Sequence, residues 1–504
     1  MKSPIVIGLE NVTLRVRDTF LLPGTNWQIN KGQHWAILGP NGAGKTSLVK
    51  ALSGEVPVVK GKIHFPPAST ADNRTGYVSF EQHQRLIARE EDRNESRYFS
   101  GHLNTVTTVF ETLIESCTDP GSSAIDVEQV ASKLQIEYLL ERGIQAISTG
   151  EMRKIQIARM MINSPQILIL DEPFDGLDRH SRNDLARIIE DLMDGTRTVI
   201  LVTHRQREIL PKISHVLALR EREVIFQGRK EDVLTPSLME RLYPSCPNLA
   251  LTLPARADRR KDVTRAIAEI LVFMKNVTVK YENTTVLDKV NWKMKAGENW
   301  AILGPNGCGK TTLLNVVAAD NPQAYANEIY LFGKRRGSGE SIWDIKRRIG
   351  MISSEFQIRY RKPITAFEVV LSGFFDSVGL YRHSTSEQRE IAEQWLEMLG
   401  IANKSDRIFN QLSYGEQRMI LLVRSMVKLP QILILDEPCQ GLDPVNRQRI
   451  LDAIDVIGNY SETNLIYVTH YSHEIPGCMT HMLRFEKTTA GRYQASSGRI
   501  NNFL

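Results

Sequence analysis

The chain spells much of itself twice. Asn11-Val12-Thr13 returns as Asn276-Val277-Thr278, and the eight residues Trp35 to Gly42 return unchanged as Trp300 to Gly307. Lys45 and Lys310, Ser148 and Ser413, and Asp171 and Asp436 all stand 265 residues apart, so insertions and deletions nearly cancel between the copies. Solenoid repeats run about 20–50 residues, so a period this long makes each copy a domain rather than a stacked unit. The segment from Pro244 to Lys261 holds Pro244, Pro247, Pro254 and the charged run Arg256-Ala257-Asp258-Arg259-Arg260-Lys261, the composition of a solvated connector. The expected division is domain 1 over 1–243, a connector over 244–269 and domain 2 over 270–504.

The 504 residues are 42% hydrophobic and 24% charged, which predicts folded domains rather than a disordered chain. Apolar runs such as Ile167 to Leu170 and Val216 to Leu219 are strand-sized, far below the roughly 18 residues of a membrane helix. Met1 to Glu10 lacks the basic stretch and apolar core of a secretory leader, so a cytoplasmic protein is expected. Five scattered cysteines without a Cys-x-x-Cys pair predict reduced thiols and no zinc or iron–sulfur site. A net charge of +5 is too small to require a nucleic-acid partner.

Within each copy, strand signals lead to a glycine-rich turn, a helix, a variable middle and apolar strands that end in carboxylates. Ile167 to Leu170 and Thr198 to Val202 read as buried parallel strands, with Arg182 to Met193 helical between them. The middles, Leu103 to Leu140 and Thr365 to Leu399, read as mostly helical. The fold class that follows is α/β with a helical subdomain.

Gly39-Pro40-Asn41-Gly42-Ala43-Gly44-Lys45-Thr46-Ser47 and Gly304-Pro305-Asn306-Gly307-Cys308-Gly309-Lys310-Thr311-Thr312 carry the phosphate-loop pattern. Its glycines let backbone N–H groups curl around an anion, its lysine reaches the terminal phosphates, and Thr46 or Thr311 offers a hydroxyl to Mg2+. Each loop follows an apolar strand and opens a helix, expected over Ser47 to Leu52 and Thr312 to Ala319. Further on, Asp171-Glu172 and Asp436-Glu437 end apolar strands. The aspartates are candidate magnesium-shell ligands; the glutamates are placed to orient or deprotonate an attacking water.

With Ile147-Ser148-Thr149-Gly150-Glu151 and Leu412-Ser413-Tyr414-Gly415-Glu416 ahead of those strands, the chain resembles the ATP-binding cassette (ABC) ATPases. The turns Gly176-Leu177-Asp178 and Gly441-Leu442-Asp443, with His204 and His470 beyond the next strands, complete the pattern. The resemblance implies two tandem P-loop domains, each with a RecA-like core, an antiparallel β part and a helical subdomain, that bind ATP and Mg2+ and hydrolyse ATP. It also implies a head-to-tail pair within one chain. Ser413 and Gly415 would cap the γ-phosphate held by Lys45, Asp171, Glu172 and His204, while Ser148 and Gly150 would cap the one held by Lys310, Asp436, Glu437 and His470.

The copies depart from that pattern in places. Tyr281 stands where such ATPases stack adenine; the matching residue in the first copy is Val16, with Arg17 and Phe20 nearby. Loss of a stacking ring is worth on the order of 1–3 kcal/mol, which predicts weaker ATP binding at the first loop. The segments running to Glu81-Gln82 and to Glu355 share no glutamine, and Thr149 replaces a small residue in the first signature. Cys308 occupies the place of Ala43, where small size is the expected reason for it, with redox sensitivity the other reading.

Two outputs stay open. Leu170 to Asp178, Asp436 to Pro444 and Arg335 to Ile345 resemble the bacterial ModF group, labelled molybdenum-transport or photorepair ATP-binding proteins. That implies a separate membrane permease and a place at the inner face of the plasma membrane. The alternative is a switch acting on nucleic acid, a ribosome or repair machinery. It draws on the stretch 334–362, where nine Lys or Arg face three acids.

Overall fold

In the computed structural model, the described residues are 4–16, 19–65, 75–79, 107–117, 124–244, 253–254, 269–281, 284–353, 363–488 and 492–503. Arg17, Glu81, Gln82, Glu355 and most of the connector lie outside them. The chain forms two compact units, Met1–Ser245 and Cys246–Leu504.

The first unit is organised on a six-stranded sheet in the order Thr75–Val78, Ile167–Asp171, Thr198–Thr203, Trp35–Leu38, His215–Arg220, Glu223–Arg229. All neighbours are parallel except the last pair. The four residues Trp35–Leu38 are buried on both faces, as are Ile167–Asp171, which is why these strands are uninterrupted apolar runs rather than alternating ones. Against this core sits a three-stranded antiparallel sheet of Thr19–Asn30, Ile5–Val16 and Val58–His64; the first two strands mix buried and exposed positions, and the third is exposed or half-buried throughout. Helices Val109–Ile114, Ala124–Lys133 and Thr149–Met161 make the helical part.

The second unit repeats the plan. Its six-stranded sheet runs Ile349–Ile352, Ile432–Asp436, Asn464–Thr469, Trp300–Leu303, His481–Lys487, Tyr493–Arg499. Its antiparallel sheet has four strands, Thr284–Lys295, Ile270–Tyr281, Glu328–Leu331 and the short Lys334–Arg335. Helices Ala366–Leu371, Ser386–Met398 and Tyr414–Met426 form the helical part.

Element boundaries moved by a turn or less from those expected. The loop helices are Lys45–Leu52 and Lys310–Val317, beginning at the lysines because Gly44 (φ +95°) and Gly309 (φ +98°) close the preceding loop in a left-handed conformation. The second stops before Ala319, whose φ of +64° leaves the helix. The helix expected from Arg182 begins at Arg179, because the Asp178 side chain caps it by accepting from Ser181 N at 2.9 Å. In the second middle, Asp376 at φ +51° ends a 3-10 turn and breaks the helical stretch.

Candidate functional site

Both phosphate loops leave a core strand and wrap back on a buried lysine. Lys45 Nζ donates to the carbonyls of Gly39 (2.8 Å) and Pro40 (3.1 Å), and Lys310 Nζ to those of Gly304 (2.8 Å) and Pro305 (2.9 Å). A Cβ on Gly39 would lie 2.2 Å from the Leu219 carbonyl oxygen, and one on Gly304 2.7 Å from Cys308 Sγ. Both glycines are therefore fixed by close approach. Cys308 is buried, and burial pushes its thiol up despite the pull of Lys310, which fits a small packing residue. Pro40, Asn41, Gly42, Ala43 and Ser47 lie in the first loop and its helix, and Pro305, Asn306, Gly307, Thr311 and Thr312 in the second.

In the first unit Thr46 Oγ1 donates to Asp171 Oδ2 at 2.9 Å, and Tyr77 OH donates to the same oxygen at 3.0 Å. Burial, with the charge of Glu172 beside it, raises the Asp171 carboxyl to about 6. Glu172 Oε1 lies 2.9 Å from His204 Nδ1 and 3.7 Å from Lys45 Nζ. Burial would raise the Glu172 carboxyl, but His204, Lys45 and Arg205 outweigh it and hold it at about 2. In the second unit Glu437 Oε1 lies 3.1 Å from His470 Nδ1 and 4.0 Å from Lys310 Nζ. The same balance, burial opposed by His470, Lys310 and Arg418, lowers the Glu437 carboxyl.

Glu172 and Glu437 adopt φ of +50° and +46°, an unfavourable region for a side chain this long. Each is held there by the neighbouring strand, with Glu172 N donating to Val202 O at 3.0 Å and Glu437 N to Val468 O at 3.1 Å. The turn aims each carboxylate back at the histidine and lysine. Strain kept at the same register in both copies is the pattern of a working site.

Ser148 and Ser413 are helix N-caps with full capping boxes to Glu151 and Glu416. The glycines behind them allow a close helix approach: a Cβ on Gly150 would meet Ser181 Cβ at 3.1 Å, and one on Gly415 Asn446 Cγ at 2.6 Å. Tyr281 is half-exposed, its OH accepting from Asn321 Nδ2 at 3.0 Å. In the first unit Phe20 is exposed instead, with the Arg15 guanidinium 5.9 Å from its ring centre.

Two residues near the site had no place in the sequence reading. Tyr77 has Met351 at the equivalent strand register, and Arg205, after His204, has Tyr471. Arg205 Nε donates to His204 Nε2 at 3.0 Å. Comparing the copies position by position would have flagged both, since each is a chemical difference within a near-repeat.

A buried phosphate-loop lysine and a strained glutamate on a histidine, repeated in two α/β units, with a hydroxyl–aspartate pair in the first, define a tandem nucleotide-binding cassette protein. The family model "ABC transporter" matches residues 22–175 and 287–440, and the chain belongs to that family. It is 39% identical over 475 residues to the ABC transporter ATP-binding protein ModF of Escherichia coli, covering 94% of this chain and 95% of that one. It is 28% identical to an uncharacterised ABC transporter ATP-binding protein of Schizosaccharomyces pombe, covering 91% and 93%. Among solved structures, an archaeal ribosome recycling factor in complex with a ribosomal stalk protein superposes with TM-score 0.55 at 20% identity, covering 98% of this chain and 90% of that one. At that identity the likeness concerns the fold. Among the described residues no helix is long and apolar enough to cross a membrane.

Proposed function

We propose that the chain is an Mg2+-dependent ATP hydrolase whose two domains, 1–243 and 270–504 joined by 244–269, close on two ATP molecules and so energise or regulate a transport system through a separate permease at the cytoplasmic face of the membrane. The observation that carries the catalytic reading is the duplicated constellation in which a left-handed glutamate rests on a histidine beside the loop lysine. Thr46 with Asp171, and Thr311 with Asp436, are the residues suited to Mg2+. Asp171 Oδ1 is buried without a hydrogen-bond partner among the described residues, and its other oxygen already shares Thr46. Bound there, the cation would neutralise phosphate charge. Lys45 and Lys310 would hold the terminal phosphates, and Glu172 and Glu437 would orient or deprotonate the attacking water. The position of each histidine beside its glutamate suits contact with the γ-phosphate.

Head-to-tail pairing follows from the family pattern. Ser413 and Gly415 complete the first centre, and Ser148 and Gly150 the second, each through an N-capped helix start that presents N–H groups to an anion. Tyr281 stacks adenine in the second. The transport output is supported by 39% identity along almost the whole length of ModF. A second reading, a switch acting on the ribosome or nucleic acid, is favoured by exposed Lys334, Arg335 and Arg347 on one segment.

Glu172→Gln and Glu437→Gln are each expected to slow turnover, and together to trap an ATP-loaded form, with a loss on the order of 100-fold or more for a missing general base. Unchanged hydrolysis by the double variant would remove both glutamates from the mechanism. The trapped variant, captured from native cells, separates the outputs: a permease supports transport, a ribosome or repair complex the switch.

A further inference from the structure

The two copies treat their histidines differently. In the first, His204 Nε2 accepts from Arg205 Nε at 3.0 Å, while Nδ1 lies 2.9 Å from Glu172 Oε1 but makes no hydrogen bond among the described residues. An Nε2 that accepts an N–H carries no proton, so the ring is the neutral tautomer with its hydrogen on Nδ1, facing the glutamate. Nε2 then offers no N–H to a phosphoryl oxygen. Arg205 is anchored in turn, 3.5 Å from Glu208 and 3.8 Å from Asp175, the residue just before the Gly176-Leu177-Asp178 turn.

In the second copy His470 keeps the bond to Glu437 at 3.1 Å, but its Nε2 is buried and has no hydrogen-bond partner among the described residues. A buried imidazole nitrogen without a partner is costly unless a ligand supplies one. Tyr471 replaces Arg205, its ring 3.9 Å from the imidazole centre, and Gln440 replaces Asp175. The arginine and its acidic anchor are exchanged together, while Glu208 and Glu474 remain in both.

We propose that Arg205 is a positioning residue that withholds His204 Nε2, making the first centre the slow one in turnover and leaving the second, with His470 Nε2 available to the γ-phosphate, as the fast one. To engage phosphate, His204 Nε2 must first part from Arg205, whose guanidinium also lies 3.8 Å from Asp175 beside the adjoining turn. Tyr77 adds to the inequality, since the first aspartate's Oδ2 already takes two hydrogen bonds and the second copy has Met351 at that register.

This inference rests on the reading that both centres hydrolyse ATP. The full-length chain is therefore assayed in two backgrounds, Glu437→Gln to isolate the first centre and Glu172→Gln to isolate the second. Arg205→Tyr in the first background is expected to raise kcat at least about fivefold with KM within a factor of two. Tyr471→Arg in the second background, which removes no existing clamp, is expected to lower kcat by a similar factor. Histidine-selective 15N NMR supplies a readout that folding alone would not move: the His204 Nε2 signal should lose its hydrogen-bonded acceptor character in Arg205→Tyr. A first centre that slows or does not change on Arg205→Tyr, or a second that ignores Tyr471→Arg, overturns the proposal. A wild-type chain with no ATPase activity would instead remove the reading beneath it.

Discussion

Asp171 and Glu172 are adjacent buried acids pushed in opposite directions, and their pH behaviour follows from that. Asp171, raised from 3.8 to about 6, holds its proton more tightly in the folded chain, so it opposes folding increasingly as pH rises from about 4 through 6. Glu172, lowered from 4.5 to about 2, stabilises above about 4.5 and loses that contribution as pH falls towards 2. The cost of the buried Asp171 charge is uncompensated when no cation sits beside it. Asp171→Asn keeps an oxygen for Thr46 and Tyr77 but removes the charge. It is expected to stabilise the chelator-treated, nucleotide-free protein at pH 8 by about 1–3 kcal/mol, with little change at pH 4. Melting curves at the two pH values check this, and a lower Tm for the variant at pH 8 contradicts it.

The signature helices show how a single missing Cβ sets the packing of two elements. Gly415 sits against Asn446, which is itself tied to Asp443 by a 2.9 Å bond from Nδ2 to Oδ2; Gly150 sits against the smaller Ser181. Overpacking of this kind costs about 1–3 kcal/mol. Gly415→Ala should therefore destabilise its unit more than Gly150→Ala does, and adding Asn446→Ser, the residue type of the first copy, should restore most of the loss. Denaturant unfolding of the single and double variants measures the coupling. If Asn446→Ser brings no recovery, the close approach is not what requires the glycine. The same elements mark the reach of local pattern. Capping residues and apolar runs place the helices Thr149–Met161 and Tyr414–Met426 and both core sheets, because each rests on neighbours in the chain. The break at Ala319 carries no such local signal, since alanine does not favour its φ of +64°, whereas Asp376 is a residue type that tolerates positive φ.

For the whole molecule, duplication invites the assumption of two equal engines, and the side chains oppose it. Val16 stands in the first copy where the second has Tyr281, and without a matched stacking ring the first centre is expected to bind ATP several-fold more weakly. A fluorescent ATP analogue titrated against Lys45→Ala, which leaves the second centre, and Lys310→Ala, which leaves the first, reads the two affinities separately. Equal values would dismiss the inequality in binding, though not that in turnover, since the Arg205 clamp acts after ATP has docked.

What the amino-acid order determined alone is the two-domain plan, the phosphate loops, the acid pairs and the family they spell, because each depends on short-range spacing: glycines where the backbone must curl, apolar runs ending in carboxylates, caps three residues from their partners. It could not place Tyr77 on Asp171, or Arg205 on His204 and Asp175. Tyr77–Asp171 and Arg205–Asp175 join separate elements, and even between neighbours His204 and Arg205 the contact depends on side-chain angles and distances that only the folded core fixes.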